Sequence, residues 1–403
     1  MSDPIPWQDF VRRIHAGPGQ LVLAVTGGGS RAIGDLLSVP GGSRTVLEAV
    51  VPYSVASLVE FLHARPESFC SARTARLMAM AAFQRARHLQ KEAPSSQPSP
   101  IKEEEEQRPP VGIGCTASLA SDRPKRGPHR IHVALQTAAA TVTHSLELVK
   151  GRRSRLAEES IAAQMVLNAA AEAFGIAEQL SLPLLEPEDI QSTRTVAPSQ
   201  WQNLLLGRTE KLLIPSPQLA PGESPGGKPR KPRAIFPGAF NPLHAGHLQM
   251  AEVAAARLSL PVEFELSVEN VDKPPLDYTE IQLRVAQFNE KHLPLWLTRA
   301  PTFDEKSQLF PGATFIVGAD TMLRIGQPRY YGNDPAAANA AFQRIAERGC
   351  RFLVFGRLVD HQFQSCGDLS LPQALRQLCD EVPSELFRQD ISSTELRKTA
   401  TSD

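Results

Sequence analysis

The chain has 403 residues, and its 43 lysines and arginines balance 43 aspartates and glutamates for a formal net charge of zero. That balance excludes the basic excess of a general nucleic-acid or anionic-membrane binder. A composition 42% apolar and 21% charged excludes disorder throughout.

No apolar run approaches the ~20 residues needed to cross a bilayer, so no membrane partner is expected. Residues Met1 to Phe10 carry Asp3, Pro4 and Pro6 and lack the basic-then-apolar pattern of a signal peptide. The expected compartment is cytoplasmic. The cysteines Cys70, Cys115, Cys350, Cys366 and Cys379 form no C-x-x-C, so neither a disulfide framework nor a zinc site is expected.

In chain order, the first part predicts strands at Leu21–Val25, Thr45–Val51, Val111–Cys115, Ile131–Thr137 and Thr141–Leu148. Helices are predicted at Arg31–Leu37, Ser54–His63, Ala72–Leu89 and Ser154–Phe174. The stretch at about 91–110, with Ser/Pro punctuation and Glu103–Glu106, reads as a solvated, disordered insertion. Pro215 to Arg233 is dense in Pro and Gly and reads as an interdomain linker. Beyond it, strands are predicted at Ala234–Phe236, Val262–Val268, Leu295–Thr298, Thr314–Val317 and Phe352–Phe355. Helices follow at His244–Leu258, Thr279–Phe288, Ala336–Arg348 and Ser393–Ala400. The alternation predicts two α/β domains with mostly parallel sheets. The expected division is 1–180, a connecting segment 181–232, and 233–403.

The strongest chemical signal follows Arg233. A short apolar strand ends at Phe236, a turn contains Gly238, and Phe240-Asn241-Pro242 leads to His244-Ala245-Gly246-His247 and an Ala-rich helix. Strand, tight turn and helix N-terminus together make an anion site, because free backbone N–H groups and the helix dipole face the ligand. Three residues apart, the two histidines share a helical face. Imidazoles there can donate to phosphate oxygens where charge builds up in phosphoryl transfer. Gly246 lets a nucleotide approach the backbone. A second signal is Ile391-Ser392-Ser393-Thr394-Glu395-Leu396-Arg397. Ser392-x-x-Glu395 is a capping box in its own right, and Arg397 one turn on adds a cation to that helix start.

Taken together, region 233–403 resembles the nucleotidylyltransferase superfamily, with its G-x-F-x-P-x-H-x-G-H loop at 238–247 and its I-S-S-T-x-x-R segment at 391–397. With Val317-Gly318-Ala319-Asp320-Thr321 after a strand, it looks most like the nicotinate/nicotinamide-mononucleotide adenylyltransferase branch. The resemblance implies a Rossmann-like parallel sheet of the nucleotidylyltransferase type. It implies His244, His247 and Arg397 as catalytic residues, with ATP held by Gly238, Phe240, Gly246, Ile391, Ser392, Ser393 and Thr394. The acceptor is expected at Gly318 and Asp320, and Lys273 is a further candidate phosphate contact. The implied partners are ATP and a pyridine mononucleotide, with Mg²⁺ on the triphosphate as cofactor and no protein-held metal.

The first part opens on a second strand–Gly-rich turn, Thr26-Gly27-Gly28-Gly29-Ser30, which is either an anion cradle or a plain tight turn. With Tyr53-Ser54 and Gly112-Ile113-Gly114-Cys115-Thr116, it resembles the C-terminal domain of CinA-type nicotinamide-mononucleotide amidases over residues 7–180. The family's nucleophilic serine falls at Ala24 and its lysine base at Leu58. A Ser–Lys amidase needs a hydroxyl and a base in reach of each other, so this half is expected to be amidase-inactive. It is then a binding, regulatory or homo-oligomerising module. Ser30 and Cys115 are the remaining candidate nucleophiles, without a visible base.

The function expected is transfer of AMP from ATP to nicotinate or nicotinamide mononucleotide with pyrophosphate release. The alternatives are a cytidylyltransferase or other nucleotidyltransferase with a different phosphorylated acceptor, and a non-catalytic nucleotide-binding protein. A class I aminoacyl-tRNA synthetase is set aside for want of a K-M-S-K-S counterpart and of any basic excess.

Overall fold

Strand β1 (Gln20–Thr26) is a Leu/Val run buried along nearly its whole length, as befits a strand covered on both faces. In the computed structural model, which describes residues 6–92, 108–122, 126–215, 233–359 and 362–387, it belongs to a six-stranded sheet. Its partners are β2 (Val46–Val50), β3 (Pro110–Ser118), β4 (His129–Gln136), β5 (Ala140–Leu148) and β6 (Ile190–Val196). The order is β2-β1-β3-β4-β5-β6.

β1 pairs in parallel with β2 and β3, but β3–β4, β4–β5 and β5–β6 are antiparallel. The expectation of a mostly parallel first sheet is corrected accordingly. For β4 and β5 the reason is connection length. The Thr137 amide donates to the Ala140 carbonyl at 2.9 Å, closing a tight hairpin between β4 and β5. A parallel crossover needs a dozen or more residues.

The helices of this part are α1 (Trp7–Ala16), α2 (Arg31–Ser38), α3 (Gly42–Thr45), α4 (Val55–Leu62), α5 (Ala72–Glu92), α6 (Arg155–Ala173) and α7 (Ser199–Leu206). The sequence pattern does not single out α1, β6 or α7. Helix α5 lies directly on β3. A Cβ at Gly112 would come within 2.0 Å of the Ala79 carbonyl oxygen, and one at Gly114 within 2.3 Å of that of Ala75. These two glycines are therefore explained by backbone contact between a helix and a strand.

The chain divides into two compact units, Met1–Gln202 with Asp272–Glu280, and Asn203–Val271 with Ile281–Asp403. In the second, strands β7 (Lys211–Ile214), β8 (Ala234–Pro237), β9 (Val262–Ser267), β10 (Leu295–Thr298), β11 (Thr314–Gly318), β12 (Arg351–Phe355) and β15 (Cys379–Val382) make one sheet. Its order is β15-β12-β11-β8-β9-β10-β7. Every pairing is parallel except that of the edge strand β7 with β10. A short hairpin, β13 (Arg357–Val359) with β14 (Gln362–Gln364), follows β12. The helices are α8 (Ala245–Leu258), α9 (Tyr278–Glu290), α10 (Phe303–Leu309), α11 (Ala319–Ile325), α12 (Pro335–Glu347) and α13 (Gln373–Arg376). Ile235, Phe315, Val317, Phe352 and Val354 project from the central strands into one buried core with Phe310 and Phe342.

The strand order carries the functional meaning. From β8 the chain steps outward through β9 and β10, then returns to β11 on the other side of β8 and steps outward through β12 to β15. The reversal opens a crevice between the carboxyl ends of β8 and β11, the topological switch point where open α/β sheets take ligands.

Candidate active site at the switch point

β8 ends at Pro237, and Gly238, Ala239 and Phe240 turn the chain toward α8. Phe240 sits at φ 43°, a region that bulky residues rarely enter. Packing holds it there. Its ring is 1% exposed and meets Phe236, Phe264, Phe288 and His247 edge-on, with centroids 5.1 to 5.7 Å away. Gly238 is glycine for the same reason, since a Cβ there would lie 2.5 Å from the Phe240 ring. Its amide donates to the Glu265 carbonyl at 3.0 Å, tying the turn to β9.

His244 is the N-cap of α8, with extended backbone at φ −134°, ψ 170°. Its backbone N–H donates to Nδ1 of His247 at 3.3 Å, and the two rings stack with centroids 3.8 Å apart. With Nδ1 accepting, a neutral His247 carries its proton on Nε2 and is a donor there. Burial, and then the neighbouring His244, push the His247 pKa down to about 4. Burial also lowers that of His244. At neutral pH the pair is therefore a set of hydrogen-bond donors and acceptors without fixed charge.

A cavity of about 300 Å³ opens beside them. One wall is Gly238, His244, Gly246 and His247, and the facing wall is Gly318, Asp320, Thr321 and Arg324 from the β11–α11 turn. Gly318 is the N-cap of α11, and a Cβ there would meet nothing within 4 Å. Gly356 and Arg357, just past β12, complete the lining toward Asp320. Arg357 donates through Nη1 to Asp320 Oδ2.

The sequence-derived residues His244, His247, Gly238, Gly246, Gly318 and Asp320 thus share one cavity. Phe240 does not line it and acts from beneath the turn. Lys273 does not line it either; it is exposed on the segment Asp272–Glu280, which groups with the first unit. Ile391, Ser392, Ser393, Thr394 and Arg397 lie outside the described residues. Phe387, four positions before Ile391, lines the cavity. Sequence reasoning missed Arg357 and Arg324, because a lone arginine after an apolar strand or within a helix has no motif spacing to mark it.

In the first unit the Gly-rich turn is already occupied by the chain itself. The Glu159 carboxylate on α6 accepts from the Gly29 amide at 3.0 Å, from the Ser30 hydroxyl at 3.1 Å and from the Arg31 amide at 3.1 Å. Arg155 reaches the Gly27 carbonyl at 2.8 Å. Ala24 and Leu58 pack in one apolar cluster with Leu62 and Met78. Cys115 is fully buried against the Gly28 carbonyl, and burial pushes its thiol far above the ordinary range.

The second unit is thus a mostly parallel sheet with a switch-point crevice and paired histidines at a helix N-terminus. Residues 235–399 match the family described as cytidylyltransferase-like. Two solved structures cover the N-terminal part of the chain. The competence/damage inducible protein CihA from Agrobacterium tumefaciens is 19% identical over 44% of this chain and 100% of its own, with a TM-score of 0.32. A competence-damaged protein (CinA) superfamily protein from Escherichia coli is 13% identical over 43% of this chain and 93% of its own, also at 0.32. No curated protein matches the chain at a significant level. No helix among the described residues is long and apolar enough to cross a membrane.

Proposed function

We propose that the second unit transfers AMP from ATP to nicotinate or nicotinamide mononucleotide, releasing pyrophosphate. The observation that carries the reading is the stacked His244/His247 pair at the α8 N-terminus, sharing a cavity with the Gly318–Asp320 turn across the switch point.

The acceptor's own phosphate is an anionic nucleophile, so no serine or cysteine is needed. Its oxygen forms a bond to the α-phosphorus of ATP while the bond from that phosphorus to the α,β-bridging oxygen breaks, and pyrophosphate leaves with the electron pair. His247 donates through Nε2–H to the α-phosphate, and the free amides of the first turn of α8 add to it. Ser392, Ser393, Thr394 and Arg397 hold the β- and γ-phosphates, with Ile391 at the start of that segment. Gly318 leaves open space for the acceptor against the backbone, and Asp320 accepts from its hydroxyls. Asp320 is the one carboxylate among the described lining residues, which fits a Mg²⁺ that travels on the triphosphate rather than in a protein cage. When bound it neutralises charge on the phosphates.

The first unit is proposed as a binding, regulatory or homo-oligomerising module without amidase activity, in a cytoplasmic protein. The deciding experiment is pyrophosphate release from ATP or CTP with a panel of phosphorylated acceptors. ATP with a pyridine mononucleotide is the expected pair. Turnover with CTP instead would move the assignment to a cytidylyltransferase. Failure of a calorimetric titration to detect Mg·ATP binding would overturn it.

A further inference from the structure

Arg324 and Arg357 are the cavity cations that the chemistry above leaves unused, and Arg357 is the one tied to Asp320. It stands immediately past Gly356 at the end of β12, and its side chain is 43% exposed. Asp320 holds Nη1. Its Nε and Nη2 have no protein partner among the described residues. A guanidinium anchored at one nitrogen and open along its other edge is preorganised to grip a planar anion with two parallel hydrogen bonds.

Its position sets what it can read. β8, β11 and β12 are consecutive in the sheet, and neighbouring strands lie ~4.8 Å apart, so the ends of β8 and β12 are separated by about 10 Å. The reacting phosphate belongs at the β8 end, beside the histidines. Arg357 faces the opposite end of an acceptor of mononucleotide length, where its base lies. The histidines at the first end meet the phosphate, which both acceptors share, so they do not distinguish one acceptor from another. At the far end Arg324 and Arg357 outnumber Asp320, the one carboxylate among the described lining residues, and leave a net positive charge that does.

We propose that Arg357 selects an acceptor whose base carries a carboxylate, binding that carboxylate through Nε and Nη2 while Asp320 holds the guanidinium in place. Resting on the adenylyltransferase reading above, this assigns the acidic pyridine mononucleotide, rather than its carboxamide, as substrate. The two molecules are nearly isosteric and differ in one charge, so they isolate the contribution of Arg357.

The test titrates full-length protein calorimetrically with nicotinate mononucleotide and with nicotinamide mononucleotide, with and without a non-hydrolysable ATP analogue. Wild-type protein is expected to bind the acid at least tenfold more tightly. Arg357→Ala abolishes that preference by weakening the acid alone, while affinity for the ATP analogue and the melting temperature hold. Arg357→Lys keeps the charge without the fork and retains part of the preference. Equal or reversed affinities in the wild type, binding of neither acceptor, or a preference that survives Arg357→Ala would each overturn the proposal. Pyrophosphate release with the same two acceptors separates the layers. Selective binding without turnover removes the transferase reading and leaves Arg357 as an acid reader. Turnover whose acceptor KM ratio is insensitive to Arg357→Ala removes Arg357 and leaves the transferase.

Discussion

The backbone N–H of His244 donates to Nδ1 of His247 at 3.3 Å, and the rings stack at 3.8 Å. One hydrogen bond thus fixes the tautomer of the inner histidine and aims its Nε2 proton outward. Replacing His247 with Ala is expected to lower adenylyl transfer by ~10²–10³-fold, the usual cost of one transition-state donor. Pyrophosphate release measures it, with a thermal melt to confirm folding. Near-wild-type rates in a folded His247→Ala protein would falsify the assignment.

The same histidine predicts a pH dependence of stability. Its folded pKa, about 4, lies below the unfolded value of 6.5, so the unfolded chain binds more protons between those limits. Its contribution is full above pH 6.5 and is lost as pH falls toward 4, by up to about 3 kcal/mol. Denaturant titrations from pH 7 to 4 should show that loss reduced in His247→Ala. A polyphosphate beside the ring raises its pKa, so ATP binding near pH 5.5 should take up protons. Calorimetry in two buffers of different ionisation enthalpy reads the sign, and proton release would contradict the placement.

Gly238 and Phe240 form a coupled pair. Gly238→Ala forces a Cβ into the Phe240 ring at 2.5 Å, and that ring is confined on four sides by aromatic neighbours. Overpacking of this kind costs about 1–3 kcal/mol. Activity should fall further than stability alone accounts for, because the displaced ring also supports His247. A combined urea melt and rate measurement separates the two effects.

Beneath the same turn, Lys306 Nζ reaches both carboxylate oxygens of Glu265 at 2.7 and 2.8 Å, with the Thr298 hydroxyl also donating to Oε1. Lys306→Met strands a buried charge, at an expected cost of about 3–5 kcal/mol. Adding Glu265→Leu should recover most of that loss. A double-mutant cycle in urea checks the non-additivity, and simple addition of the two losses would contradict it.

In the first unit, Ala24 and Leu58 lie in one apolar cluster. Full-length protein incubated with nicotinamide mononucleotide and no nucleotide should leave the amide intact. Ammonia release above the buffer blank would return an amidase to this half.

The β8–α8 loop is legible in the sequence because its residues are contiguous and each acts locally, as turn, cap or donor. Phe240 is legible as important but reads as a ligand contact, since only packing shows that its ring lies under the turn. Arg357 is not legible, because its place depends on β12 lying beside β11, a neighbourhood created by topology over distant sequence. The antiparallel half of the first sheet does leave a trace in the sequence. The strands beginning near Val111, Ile131 and Thr141 have no helix between them, and the interval from Gln136 to Ala140 leaves no room for a crossover. β6 carries few apolar residues and is mostly exposed, so its period is faint.

Glu159 gives the Gly-rich turn of the first unit a permanent guest. An anion arriving from solution must displace a carboxylate tethered to the same fold, whose local concentration is set by chain geometry and not by metabolite supply. What has the outline of a socket is thereby riveted between β1 and α6 by a carboxylate of the same fold.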